Sequence, residues 1–136
     1  MRVIETTLPG VVIIEPQSYA DQRGTFQEIF QVERYSDAGI AGDFVQDNLS
    51  FSKHGVLRGL HFQSPNSQGK LVYALQGEVF DVAVDVRRGS PHFGRWVGRT
   101  LSAKNRHQIW IPEGFAHGFC VTSESALVAY KCTQYY

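Results

Sequence analysis

The chain has 136 residues, the size of a single domain, and its 43% hydrophobic content, with nine Phe, six Tyr and two Trp, is ample for one buried core. Thirteen Lys and Arg balance thirteen Asp and Glu, so no overall field favours nucleic acid or an anionic membrane surface, and an anionic ligand must be met by local cations. No stretch reaches the roughly 18 consecutive apolar residues of a membrane span, and the start MRVIETTLPG lacks the charged-then-apolar layout of a signal peptide, so the expected compartment is the cytoplasm.

A Pro9-Gly10 turn signal precedes the apolar run Val11-Val12-Ile13-Ile14, which predicts a first strand ended by Glu15-Pro16. Asp21-Gln22-Arg23-Gly24 reads as a turn feeding a strand over 25–30, and residues 31–39 carry weak helical character with a Gly stop. A strand over 44–48 follows. From Gly55 onward the pattern is almost wholly β, with runs over 56–62, 71–75, 79–86, 94–101, 108–111, 119–122 and 126–133 separated by Gly or polar turns. Short strands in this number predict an all-β sandwich or closed barrel, most simply a jelly roll with at most one short helix. In Val79–Asp85, period-2 geometry places Phe80, Val82 and Val84 on one face and Asp81, Ala83 and Asp85 on the other. Cys120 and Cys132 lack CxxC spacing and sit in apolar runs, so both are expected to be buried free thiols.

Two blocks carry chemistry. Gly55 is followed, after five intervening residues, by His61, and Pro112-Glu113-Gly114-Phe115-Ala116-His117 comes later. Both resemble the sequence blocks of small cupin jelly rolls, a Gly before His-x-His and a Pro-x-Gly-x-x-His. The position two after His61 is Gln63, however, and no acidic residue follows at the usual short spacing. Two imidazoles alone make a poor site for a catalytic divalent ion, so no metal is expected. His61 then reads either as a satisfied core histidine among solvated Arg58 and Lys70, or as an acid/base group that works without metal. Arg58 and His61 lie three apart and face oppositely in a flat strand, so a shared site requires a twist or bulge at Gly59.

Longer blocks narrow the choice. Asp21-Gln22-Arg23-Gly24-Thr25-Phe26-Gln27-Glu28, Phe44-Val45-Gln46-Asp47-Asn48, Gly55-Val56-Leu57-Arg58-Gly59-Leu60-His61-Phe62-Gln63, Gln68-Gly69-Lys70-Leu71-Val72, Trp110-Ile111-Pro112-Glu113-Gly114-Phe115-Ala116-His117 and Tyr130-Lys131-Cys132-Thr133-Gln134-Tyr135-Tyr136 closely resemble the dTDP-4-dehydrorhamnose 3,5-epimerase family. The resemblance runs from the first strand to the last residue, which implies one cupin-like epimerase domain over 1–136. It also implies inversion of the carbons flanking a 4-keto group on a dTDP-linked 6-deoxyhexose, with no cofactor.

What the resemblance implies for individual residues is specific. His61 matches the base, Lys70 the cation beside the developing enolate oxygen, and Tyr130 the proton donor on the other face of the sugar. Arg23 and Arg58 match groups that hold the diphosphate and sugar. Glu28 and the run Gln46-Asp47-Asn48 match polar contacts to the nucleotide, His117 a sugar contact, and Tyr136 an aromatic stacked on thymine. Lys131, Arg87 and Arg88 read as solvated charges. The family chain continues past the Tyr-Tyr pair and supplies from there an aspartate behind the catalytic histidine. In this sequence Asp81 or Asp85 stands in for it only if one of them reaches His61. The family also implies a homodimer that exchanges N-terminal strands, in which Arg23 or Glu28 serves the neighbouring site. Two other functions fit the same residues: a non-catalytic nucleotide-sugar-binding cupin, and a single-position epimerase or ketoisomerase.

Overall fold

The computed structural model describes residues 1–136, which form twelve strands and one short helix. In chain order these are β1 (Arg2–Glu5), β2 (Val12–Glu15), β3 (Ser18–Asp21), β4 (Gly24–Gln27), α1 (Val32–Asp37), β5 (Gln46–Lys53) and β6 (Leu57–His61). The second half contributes β7 (Lys70–Gln76), β8 (Glu78–Asp85), β9 (Trp96–Ser102), β10 (Gln108–Ile111), β11 (Phe115–Val121) and β12 (Ser125–Cys132). A six-stranded sheet in the order β1-β2-β10-β7-β12-β5 faces a four-stranded sheet in the order β6-β11-β8-β9, and β3 pairs only with β4. All pairings are antiparallel, and strands distant in sequence lie side by side, as a jelly roll requires.

Period-2 alternation builds two cores from the same strands. Ile13, Val72 and Ile109 turn into the space between the sheets, where they meet Val79, Leu101, Phe119 and Val121. Their chain neighbours Ile14, Leu71 and Trp110 point to the opposite face and pack with Tyr35 of α1. Each fully buried aliphatic side chain of this kind contributes about 1.5–3 kcal/mol through removal of apolar surface from water. The helix is held at both ends: the Gln31 side chain accepts a hydrogen bond from the Arg34 backbone N–H at 2.7 Å, and Gly39 at φ +86° ends it. Tyr35 donates its hydroxyl proton to Gln108 Oε1 at 2.7 Å, so the one phenol in this second core is satisfied.

Three departures from the expected elements have physical causes. Strands β1 and β3 lack an apolar alternation, because β1 is a mostly exposed edge strand and β3 pairs only with β4 and joins neither main sheet. Strand β5 continues to Lys53 rather than ending at Asn48, since its inward positions are polar, Ser50 and Ser52, and carry no hydrophobic signal. Strand β11 begins at Phe115, directly after the Gly114 turn. On β8 the acid-bearing face is the inner one: Val79, Asp81, Ala83 and Asp85 are buried while Phe80 is exposed and Val82 and Val84 are half-buried. Cys120 is half-buried, Cys132 is buried, and both are free.

Candidate active site

The site lies where β5, the edge of one sheet, approaches β6, the edge of the other, and Arg58 Nε donates to Ser52 Oγ at 2.8 Å across the gap. The β6–β11 ladder pairs His61 with His117 but Arg58 with Phe119. Three steps along β6 therefore oppose two along β11, and this bulge turns Arg58 and His61 to the same side. Gly59 sits in the irregular stretch at φ +102°, and a Cβ there would lie 2.6 Å from the His117 carbonyl oxygen and 2.8 Å from Gly118 Cα. Only glycine accepts both the left-handed backbone and this approach.

A cavity of about 310 Å³ opens between the sheets. Arg58, His61 and His117 line it from the four-stranded side, and Asn48, Lys70 and Tyr130 from the six-stranded side. The largely exposed Tyr136 also lines it, with its backbone N–H donating to Gln46 Oε1 at 3.1 Å. Ser50 and Gln68 also line the cavity. Neither was singled out from the sequence, although period 2 from Asn48 puts Ser50 on the same face and Gln68 belongs to the Gln68-Gly69-Lys70 block.

The walls set the charge states. Burial pulls the His61 imidazole below its ordinary value, and the positive charges of Lys70 and Arg58 push the same way, which favours a neutral ring that can accept a proton. Burial also lowers the Lys70 ammonium, opposed by Cys132 and Asp81. Lys70 is only 9% exposed, and its Nζ lies 5.7 Å from the centre of the Tyr130 ring. Burial raises the Tyr130 phenol, so it holds its proton more firmly than a free tyrosine. A neutral base, a partly desolvated cation and a protonated phenol thus share one small cavity.

The buried carboxylates do not serve His61. Asp81 Oδ2 lies 2.8 Å from His117 Nε2, and Asp85 is held by Arg87 and by the Ser90 hydroxyl at 2.5 Å. Neither therefore meets the condition for standing in for the family's aspartate behind His61. Arg87, expected to be a solvated charge, is likewise engaged, its Nη2 donating to Asp85 Oδ2 at 2.9 Å. Lys131 is also engaged, 3.0 Å from Asp47 and stacked over Phe30. Period 2 explains Asp47: Gln46 and Asn48 turn inward, joined by a 3.0 Å hydrogen bond, while Asp47 points to the outer face. Arg23 and Glu28 lie outside this cavity. Arg23 pairs with Asp21 at the tip of the β3–β4 ribbon, and Glu28 pairs with Arg34 at 2.7 Å.

A family model described as dTDP-4-dehydrorhamnose 3,5-epimerase matches residues 5–136. The chain belongs to this family. A dTDP-4-dehydrorhamnose 3,5-epimerase of Neisseria gonorrhoeae is 57% identical over 136 residues, covering all of this chain and 42% of that protein. The corresponding protein of Shigella flexneri is 56% identical over 138 residues, all of this chain and 76% of that one. The chain thus spans less than half of the first of these epimerases and about three quarters of the second. The crystal structure of an epimerase from Legionella pneumophila, in complex with dTDP-4-keto-L-rhamnose, superposes with a TM-score of 0.97 at 60% identity, covering 99% of this chain and 72% of that one.

Proposed function

We propose that the chain catalyses the metal-independent 3,5-epimerisation of dTDP-4-dehydro-6-deoxy-D-glucose to dTDP-4-dehydro-L-rhamnose in deoxysugar synthesis. One observation carries this: His61 and Tyr130 stand on opposite sheets around one cavity, with Lys70 among its lining groups. A C–H beside a ketone is a weak acid, and its removal places charge on the keto oxygen. His61 takes the proton at C3 or C5, Lys70 stabilises the enolate oxygen in a site where its charge is poorly screened, and Tyr130 returns a proton from the opposite face. One proton leaves and one arrives at each carbon, so the chemistry balances without a redox cofactor.

Recognition follows from the rest of the lining. Arg58 supplies a guanidinium fork for diphosphate or sugar oxygens, Asn48, Gln46 and His117 supply polar contacts, and the Tyr136 ring offers a face for thymine. Arg23 and Glu28 on and beside the outlying β3–β4 ribbon complete a neighbouring subunit's site in a homodimer that exchanges N-terminal strands. Asp47 contributes by fixing Lys131 at the rim rather than by touching the nucleotide. The proposed setting is the cytoplasm.

The test is solvent deuterium wash-in with the dTDP-4-keto-6-deoxyhexose. Label at both C3 and C5, insensitive to chelator, is expected. Thermal stabilisation by dTDP without exchange indicates a binding protein instead, and label at one carbon alone indicates a single-position epimerase.

A further inference from the structure

Two histidines line the cavity, and the fold treats them differently. The His61 ring makes no hydrogen bond within the chain, whereas that of His117, 3% exposed, meets a fully buried carboxylate through Nε2 at 2.8 Å. Asp81 gives its other oxygen nothing: Oδ1 is buried without a partner. A buried carboxylate with one oxygen unpaired is a worse packing element than an apolar side chain of the same size. Its effect falls on the ring it touches. Burial raises the Asp81 carboxyl above its ordinary value, opposed by the hydrogen bond from His117 and by the charge of Lys70, and Asp81 in turn helps to keep the desolvated Lys70 charged.

An ionised carboxylate oxygen can only accept, so opposite ionised Asp81 it is Nε2 that carries the ring proton, and the neutral imidazole then has a bare lone pair on Nδ1. That nitrogen makes no hydrogen bond within the chain, and His117 lines the cavity. We infer that Asp81 is a positioning residue, which fixes His117 as the Nε2–H tautomer and presents Nδ1 to the cavity as the acceptor for a hydroxyl of the bound hexose. The inference rests on the epimerase function proposed above for the identity of the hexose. It gives His117, held by Asp81, the reading of a hydroxyl, beside His61 as the proposed base.

The experiment is 15N NMR of the histidine rings in the full chain, with H117Q assigning the signal. Nε2 of His117 is expected to be protonated and Nδ1 bare. In D81N the amide can donate to Nε2 and turn the ring to the other tautomer, and turnover of the dTDP-4-keto-6-deoxyhexose is expected to fall roughly 10- to 100-fold through the mispaired hydroxyl. Because Asp81 acts through His117, D81N should have no further effect in an H117Q background. A wild-type ring protonated on Nδ1 and bare on Nε2 overturns the inference, as does an equal loss from D81N with and without His117. If D81N fails to fold, the wild-type spectrum decides alone. If the wild-type chain shows no exchange at all, the epimerase function fails while the spectrum still reports the tautomer.

Discussion

His61 on β6 is the cross-strand partner of His117 on β11, and only His117 has a carboxylate against its ring. Two identical side chains facing one cavity are thereby given different environments. Burial, followed by the charges of Lys70 and Arg58, lowers the pKa of the unbraced one, which suits the base proposed for the site.

That environment fixes the acidic limb of the pH profile. The imidazole must be neutral to act as a base, so kcat/KM should rise with pH through the pKa of His61, which lies below the ordinary 6.5 because burial, Lys70 and Arg58 all lower it. The His61→Ala variant should lose about 10²–10⁴-fold in deuterium exchange while keeping dTDP binding. An acidic limb centred above 6.5, or exchange that survives the substitution, excludes His61 as the base.

Lys70 shapes the other limb. In the proposed mechanism its ammonium acts charged, and burial lowers its pKa from 10.5, so activity should decline as pH rises through a value below 10.5 while the raised Tyr130 phenol still holds its proton. Lys70→Met should reduce kcat by about 10²–10³-fold, comparable with loss of one preorganised oxyanion donor. The same change relieves a buried charge, so Tm should hold or rise. A fall in both activity and Tm would make Lys70 a structural group.

The sequence discloses strands with apolar faces and hides those without. The run 108–111 is found residue for residue as β10, because all four side chains are buried. β1 escapes, being an exposed edge, and so does the second half of β5, whose inward Ser50 and Ser52 face a polar cavity rather than a core. The site divides the same way. Spacing proposes that Arg58 and His61 meet only through an irregularity at Gly59, and the β6–β11 register supplies one. No sequence pattern assigns Asp81 to His117 rather than to His61, because that choice depends on which β11 residue lies beside β8, and Phe119, not His117, is the direct partner of Asp81.

Gly59→Ala tests the bulge. The left-handed backbone alone costs an L-residue about 1–2 kcal/mol, and the new Cβ would press on the His117 carbonyl and Gly118 Cα at under 3 Å, both backbone atoms with little room to yield. Urea unfolding should show a loss of more than about 2 kcal/mol with an unchanged m-value. Because the bulge is what turns His61 and Arg58 to one side, the variant that remains folded should lose exchange activity too. Full stability in Gly59→Ala would mean that the ladder absorbs a side chain there, and the shared orientation of Arg58 and His61 would need another cause.

Arg23 and Glu28 decide whether the site is complete in one chain. Both are tied to near neighbours outside the cavity, Arg23 to Asp21 and Glu28 to Arg34, on an arm that pairs with neither main sheet. If the arm crosses to a partner, each site joins His61 of one subunit to Arg23 of the other. His61→Ala and Arg23→Ala homodimers are then both impaired, yet a mixed dimer holds one site with both residues intact and one with neither. Unfolding and refolding an equimolar mixture gives half mixed dimers, each with half its sites working, so activity should recover to about a quarter of wild type. Sites confined to single chains give no recovery, since every subunit in the mixture then carries one defect. The outcome separates a shared site from a self-contained one without reference to the absolute rate.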